Sequence, residues 1–233
     1  MKITIFAATG GIGRQALDQA IAAGHDVTAV VRNPRNLSAT PARIVTADLA
    51  DADPAALDPA LASAVAGADA VLSCLGARSR ADAAAGLVRH GTLAITAAMR
   101  AAGVRRIVVV SAAPVGTVPS PGRPAPPRYD PGDGFLMRHL LNPIVKAALR
   151  VSYADLAQME DVLRASDLDW TVVRPPRLTN KPLTGKPLTG TYRIAYDQNV
   201  RRGLSISRAD VAHVMLRVLA EPGTFRRTVS AAR

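Results

Sequence analysis

The segment Lys2-Ile-Thr-Ile-Phe-Ala-Ala-Thr-Gly-Gly-Ile-Gly-Arg14 constrains this chain more than any other, because an apolar strand runs straight into a glycine turn and then into a helix. Ile3, Ile5 and Phe6 read as a buried parallel strand, and Ile12, Ala16, Leu17, Ala20 and Ile21 recur at helical spacing before Gly24 closes the helix. A second strand, Asp26-Val-Thr-Ala-Val-Val31, follows at once and completes a βαβ unit. Gly10 and Gly13 remove side chains where the backbone turns tightly and where a phosphate approaches the first N–H groups of a helix. The turn therefore points to a dinucleotide pyrophosphate held by Thr9, Gly10, Gly11, Ile12 and Gly13. A plain strand-to-helix turn without a ligand is the competing explanation. The full dinucleotide fingerprint has one more glycine, but position 7 is alanine. Its methyl predicts weaker or slightly displaced binding.

After this unit the pattern repeats as strand, helix, strand, the signal for an α/β fold with a doubly wound parallel sheet of Rossmann type. Further strands are expected at Ile44–Thr46, Asp69–Leu75, Arg106–Ser111 and Asp169–Arg174, with helices over 81–102, 134–150 and 152–166. Residues 1–233 read as one domain with a small C-terminal portion on the substrate side. Two segments break the rhythm. Pro114 to Gly134 carries seven prolines and four glycines and cannot be a regular element, so a lid over the site and a disordered loop are both open. The tandem Lys181-Pro-Leu-Thr-Gly185 and Lys186-Pro-Leu-Thr-Gly190 reads as a local duplication that lengthens a loop.

The formal charge of +11 comes from 29 Lys and Arg against 18 Asp and Glu and invites a nucleic-acid reading. The basic residues are scattered in ones and twos, with no aromatics interleaved for base stacking, so no nucleic-acid partner is expected. Cys74 is the only cysteine, which excludes an intrachain disulfide and suits a reducing cytoplasm. No targeting segment and no apolar run of membrane-spanning length is present, so no membrane partner is expected. The stretch from Phe135 to Arg150 is amphipathic and basic, and core or dimer packing is favoured for it over contact with a membrane surface. A monomer or a homodimer acting on a small molecule fits this picture. His25, His90, His139 and His213 show no metal-ligand spacing, so no metal is expected.

Cofactor choice is written at the end of the second strand, where an acidic residue would hold the ribose 2′-hydroxyl of NAD. This chain has Arg32 there, with Arg35 in the same turn, and a guanidinium suits the 2′-phosphate of NADP(H). Asp48, followed by Leu49, lies where a carboxylate can accept from adenine, although helix capping explains it as well. Leu75, Gly76 and Arg78 follow the fourth strand and offer a wall for the ribose and a charge for phosphate or substrate. Ser111, at the end of the fifth strand, is the candidate catalytic residue in contact with nicotinamide or acceptor, with satisfaction of a backbone group as its alternative. Arg174, Pro175 and Arg177, after the sixth strand, are placed to meet the carboxamide, the pyrophosphate or an anionic acceptor.

The runs Ala7-Ala-Thr-Gly-Gly-Ile-Gly13, Val30-Val-Arg-Asn33, Cys74-Leu-Gly76, Ala102-Gly-Val104, Val110-Ser111 and Trp170-Thr-Val-Val-Arg-Pro175, with Ala47-Asp-Leu49 and Glu160, resemble the NAD(P)H-binding atypical short-chain dehydrogenase/reductase family. Pro175-Pro-Arg-Leu178, Pro187-Leu-Thr-Gly-Thr-Tyr192 and Ile206-Ser-Arg-Ala-Asp-Val-Ala212 are similar to its flavin reductase, or biliverdin reductase B, branch. The likeness departs at Ala7, in the proline-rich segment, in the helix at 134–150 and at Arg177, where that branch is expected to have histidine. It implies hydride transfer from NADPH to a flavin, a quinone or another flat conjugated acceptor. Ordinary short-chain dehydrogenases place Tyr and Lys four apart on one helix face so that the phenol can protonate a carbonyl oxygen. Here Tyr153 is followed four residues on by Ala157 and Tyr129 by Asp133, so that pair is absent. A redox-sensing regulator that binds NADP(H) without turnover is the alternative, and a nucleotide-sugar epimerase is disfavoured.

Overall fold

Runs of β-branched residues buried on both faces build a parallel sheet, because only a strand covered by helices above and below can be apolar throughout. Ala70–Ser73 and Arg106–Val110 are buried at every position. In the computed structural model, which describes residues 1–50, 56–135, 137–180 and 191–233, these are β4 and β5. They join β1 (Lys2–Phe6), β2 (Asp26–Val31), β3 (Arg43–Thr46), β6 (Asp169–Arg174), β8 (Arg193–Tyr196) and β10 (Arg227–Ala232) in the order β3-β2-β1-β4-β5-β6-β10-β8. All neighbours are parallel except β10 and β8. Two short strands, β7 (Arg177–Thr179) and β9 (Ser205–Ser207), pair apart from this sheet.

Helices α1 (Gly11–Ala22) and α7 (Arg208–Leu219) cover one face, and α2 (Pro59–Val65), α4 (Leu87–Ala101) and α6 (Arg150–Ala165) cover the other. Ile3 and Ile5 enter the core under α1 and α7, while Phe6 points into the core under α2 and α4. The chain winds outward from β1 to β3 and returns to β4 on the far side of β1. A doubly wound sheet leaves a crevice at such a reversal, outside the carboxyl ends of its strands.

The expected strands appear within a residue or two of their places. The expected helix over 81–102 is instead two, α3 (Arg80–Ala84) and α4, because Gly86 turns with φ +71° and the chain restarts. The cap comes from a distance: the Asp155 carboxylate on α6 accepts the Val88 and Arg89 N–H groups at 3.0 and 2.9 Å. The helix expected over 134–150 opens with a π-helical turn, Met137–Leu141, and continues as α5 (Asn142–Ala148), with Pro143 in its first turn. The C-terminal portion is woven into the sheet rather than set beside it. β10 lies between β6 and β8, and α7 packs on α1 with Gln19 Nε2 donating to the Ala209 carbonyl at 2.9 Å.

The proline-rich segment is held by polar contacts. Asp161 on α6 accepts the Ser120 hydroxyl at 3.0 Å and the Gly122 N–H at 2.9 Å, and buried Asp130 accepts the Asn199 N–H at 2.7 Å. The tandem repeat at 181–190 falls outside the described residues. Among the described residues no helix is long and apolar enough to cross a membrane.

Candidate functional site

A cleft of about 710 Å³ opens where the fold predicts it, at the carboxyl ends of β1, β2, β4 and β5. Thr9, Gly10, Gly11 and Ile12 form one side. Gly10 caps α1 without a side-chain hydrogen bond and the first turn of α1 has no acidic residue, whereas Asp58, Ser79 and Ser207 cap α2, α3 and α7. The first N–H groups of α1 are thus left for an anion, where the partial positive charge of a helix end is strongest. Gly13 does not line the cleft; a Cβ there would fall 2.2 Å from the Ala7 carbonyl oxygen, so its role is close packing of helix on turn. Ala7 lines the cleft with φ +56°, the left-handed region that costs a residue with a Cβ about 1 kcal/mol.

A side chain without an assigned role stands over this turn. Arg208, the first residue of α7, passes so close that a Cβ on Gly11 would come within 2.7 Å of its Cδ, and its guanidinium bonds the Asn180 side-chain oxygen. Arg14 bonds the Thr9 carbonyl at 3.2 Å and the Asn36 carbonyl at 2.6 Å, tying the glycine turn to the turn after β2.

Arg32, Asp48, Leu49, Leu75, Gly76 and Arg78 line the adjoining wall. The Arg32 side chain is 59% exposed and lies 3.8 Å from Asp48, a loose pair in high dielectric. Asp48 also accepts the Ala50 N–H at 3.0 Å. The loop carrying Arg78 is fixed by Asp82, which accepts the Arg78 and Ser79 N–H groups; these bonds, with the Ser79 side chain, hold its carboxyl below the usual range.

Residues 7–222 match the family described as NAD(P)H-binding. The chain belongs to that family. Its relatives include UPF0659 protein C216.03 of Schizosaccharomyces pombe, 29% identical over 222 residues that cover 92% of this chain and 83% of the relative. Among solved structures, ChuY, an anaerobillin reductase of Escherichia coli O157:H7, superposes with a TM-score of 0.71 at 21% identity, covering 100% of this chain and 97% of the other. A candidate NADH-flavin reductase of Streptococcus pneumoniae superposes with a TM-score of 0.67 at 23% identity, covering 100% and 99%.

In this NAD(P)H-binding chain the cleft is lined further by Ser111, Ser152, Leu156, Leu178, Leu87 and His90. The Ser111 hydroxyl donates to Glu160 Oε1 at 2.8 Å, so its proton is committed and its lone pairs are what remain for a ligand. Glu160, 1% exposed, is shared with Arg174 at 2.9 and 2.5 Å and with Arg164 at 2.6 Å. Arg174 is therefore a buried structural cation, not a group at the rim.

The other residues expected after β6 lie elsewhere. The buried Pro175 contributes its carbonyl to the Ala113 N–H at 2.9 Å, and Arg177 is exposed on β7. Side chains alternate along a strand, and it is the next residue, Leu178, that reaches the cleft. Arg35 is exposed in the turn after β2 and does not line the cleft.

Among the described residues the lining contains no tyrosine and no lysine. Tyr153 is buried against Val115 and Ala157, which raises the pKa of its phenol, and Tyr129 borders a separate cavity. Cys74 lines the cleft, but burial pushes its thiol up to about 12, which leaves it protonated and unreactive. No group of side chains suited to a metal occurs among the described residues.

His90 and Arg208 escaped the sequence reading for different reasons. His90 sits on a helix whose start is set by the distant Asp155. Arg208 lies within the run Ile206–Ala212 that carries the family likeness, but nothing local shows that it reaches the glycine turn.

Proposed function

We propose that this chain is an NADPH-dependent reductase whose acceptor is a flat conjugated molecule such as a flavin or a quinone. The observation that carries the reading is the cleft's division of labour. Uncapped helix N–H groups and arginines serve charge, and leucines with a serine that has no proton to give serve a flat apolar ring. A ketone acceptor would need a positioned acid, whereas a conjugated ring takes the hydride at carbon or nitrogen and its proton from solvent. Two structural neighbours support it, the Streptococcus protein as a candidate NADH-flavin reductase and the Escherichia protein as an anaerobillin reductase.

When bound, NADPH supplies the hydride. The protein's part is to bind, align and keep dry. The N–H groups of Gly11 and Ile12, joined by Arg208, would hold the pyrophosphate, while the Gly10 N–H stays on the Ala7 carbonyl and shapes the turn. Arg32 exchanges its loose partner Asp48 for the 2′-phosphate, a charge-assisted bond worth about 1.5–3 kcal/mol. Asp48 and Leu49 border the adenine, Leu75 and Gly76 the ribose, and Arg78 meets phosphate or acceptor. Ser111 accepts from the carboxamide N–H₂, and Leu87, Leu156 and Leu178 exclude water from the stacked rings. A cytoplasmic setting accompanies this use of NADPH.

The test is to titrate the protein with NADPH and NADH and then to follow NADPH oxidation with FMN, riboflavin and quinones. Preferential binding of NADPH with turnover of at least one of these acceptors is expected. Tight binding with no turnover would replace the enzyme by a sensor of NADP(H), and equal affinity for NADH would remove the 2′-phosphate from Arg32.

A further inference from the structure

Residues 137–148 form a continuous helical stretch, the π-helical turn running into α5, that is amphipathic the wrong way round. Arg138, Asn142 and Lys146 recur every four residues on one face, and this polar face turns inward. Together with Thr117, Tyr129 and Asp133 they border a cavity of about 360 Å³. Asn142 is buried and donates to Asp133 at 2.5 Å, while Arg138 and Lys146 are half-buried.

The apolar face turns out. Leu140, Leu141, Ile144, Val145 and Leu149 are 37–59% exposed, and Phe135, just before them, is 81% exposed. These six account for more than half of the exposed large apolar side chains among the described residues. Scattered exposed leucines are ordinary, but an apolar face gathered on one short stretch marks a contact surface. None of the six lines the cleft, so the face is not that of a lid closed over it.

Charge decides what covers this face. The segment's own acids are turned inward: Asp130 accepts the Asn199 N–H at 2.7 Å, and Asp133 accepts Asn199 Nδ2 at 2.9 Å. Arg128 and His139 are exposed at the mouth of that cavity, and Arg150 is exposed at the end of the stretch, next in sequence to Leu149. The chain as a whole carries +11. A second copy would bring the same apolar face with the same Arg150 and the same net charge, and like charge opposes that pairing. An anionic lipid surface attracts both features at once.

We propose that Phe135 and residues 137–150 form a peripheral membrane contact, with the apolar face lying in the interface of a bilayer rich in anionic lipid, Arg150 at the headgroups and the chain's net positive charge drawing it to the surface. The contact is reversible, since it joins one short apolar face to a diffuse positive charge. It revises the expectation that the chain has no membrane partner and is independent of the chemistry assigned to the cleft.

The test is co-sedimentation of the whole protein with phosphatidylcholine vesicles, with and without phosphatidylglycerol. Association with the phosphatidylglycerol vesicles only, weakening as salt is raised, is expected. The triple variant Phe135→Ser, Leu140→Ser, Ile144→Ser changes only exposed positions, and it is expected to lower vesicle partitioning about tenfold or more while keeping the wild-type circular dichroism. Should that variant not fold, Phe135→Trp provides a second reading. Its emission is expected to shift to the blue on anionic vesicles and not on neutral ones. Failure of the wild type to bind anionic vesicles, undiminished binding by the folded triple variant, or an unshifted emission from the Phe135→Trp variant overturns the proposal. So does a wild-type dimer in gel filtration that the triple variant converts to monomer, which would give the face to a second copy.

Discussion

Two arginines stand at the carboxyl ends of parallel strands in this molecule, and their surroundings give them opposite uses. Arg32, after β2, has a side chain 59% exposed and a partner, Asp48, at 3.8 Å. Arg174, at the end of β6, is 6% exposed and clasped by Glu160 through two hydrogen bonds. A solvated, loosely paired cation can be taken over by a phosphate at little cost. A desolvated one cannot be released, because breaking a buried pair strands a charge in low dielectric. The cleft is therefore adaptable at the end assigned to the cofactor's phosphates and rigid behind Ser111.

The largest expected effect comes from breaking the rigid end. Glu160→Ala removes the carboxylate that serves Arg174, Arg164 and Ser111, and is expected to cost about 3–5 kcal/mol of stability in urea unfolding. A loss below 1 kcal/mol would show that water can replace the carboxylate and that the two ends are alike. At the adaptable end, Arg32→Ala is expected to leave stability within about 0.5 kcal/mol and to weaken NADPH binding tenfold or more, with NADH unaffected. Arg208→Ala is expected to weaken NADPH and NADH alike by about tenfold, or ~1.4 kcal/mol. Calorimetric titration of the two dinucleotides separates these cases, since only a contact to the 2′-phosphate discriminates between them.

The same contrast explains what the sequence disclosed. β1, β2, β5 and β6 are runs rich in Val and Ile, and β4 is a short apolar run after Asp69, so each is legible as a strand of a parallel sheet, as is the glycine turn. β8 and β9 are four and three residues long, and β10 reads Arg-Thr-Val-Ser-Ala-Ala. These owe their strand state to the sheet that receives them, not to their own composition. The break at Gly86 depends on Asp155, more than sixty residues away. Arg174 and Arg32 look alike in sequence because each ends a β-branched run. Only the position of Glu160 distinguishes them.

The smallest effect tests whether the glycine turn is adaptable for charge alone or also stores backbone strain. Ala7 occupies φ +56°, and its carbonyl accepts the Gly10 N–H at 2.9 Å, so the turn cannot relax without losing that bond. Glycine at position 7 removes the left-handed penalty but adds freedom to the unfolded chain, so the two changes partly offset. Ala7→Gly is expected to raise stability by about 0.5 kcal/mol in urea unfolding. Because the methyl lines the cleft, the same variant is expected to bind NADPH slightly tighter. A gain in stability with NADPH affinity unchanged would confine the alanine's cost to folding. Unchanged stability with tighter binding would instead make the methyl a steric obstacle to the pyrophosphate, and the phosphate-binding end would then be limited by shape as well as by charge.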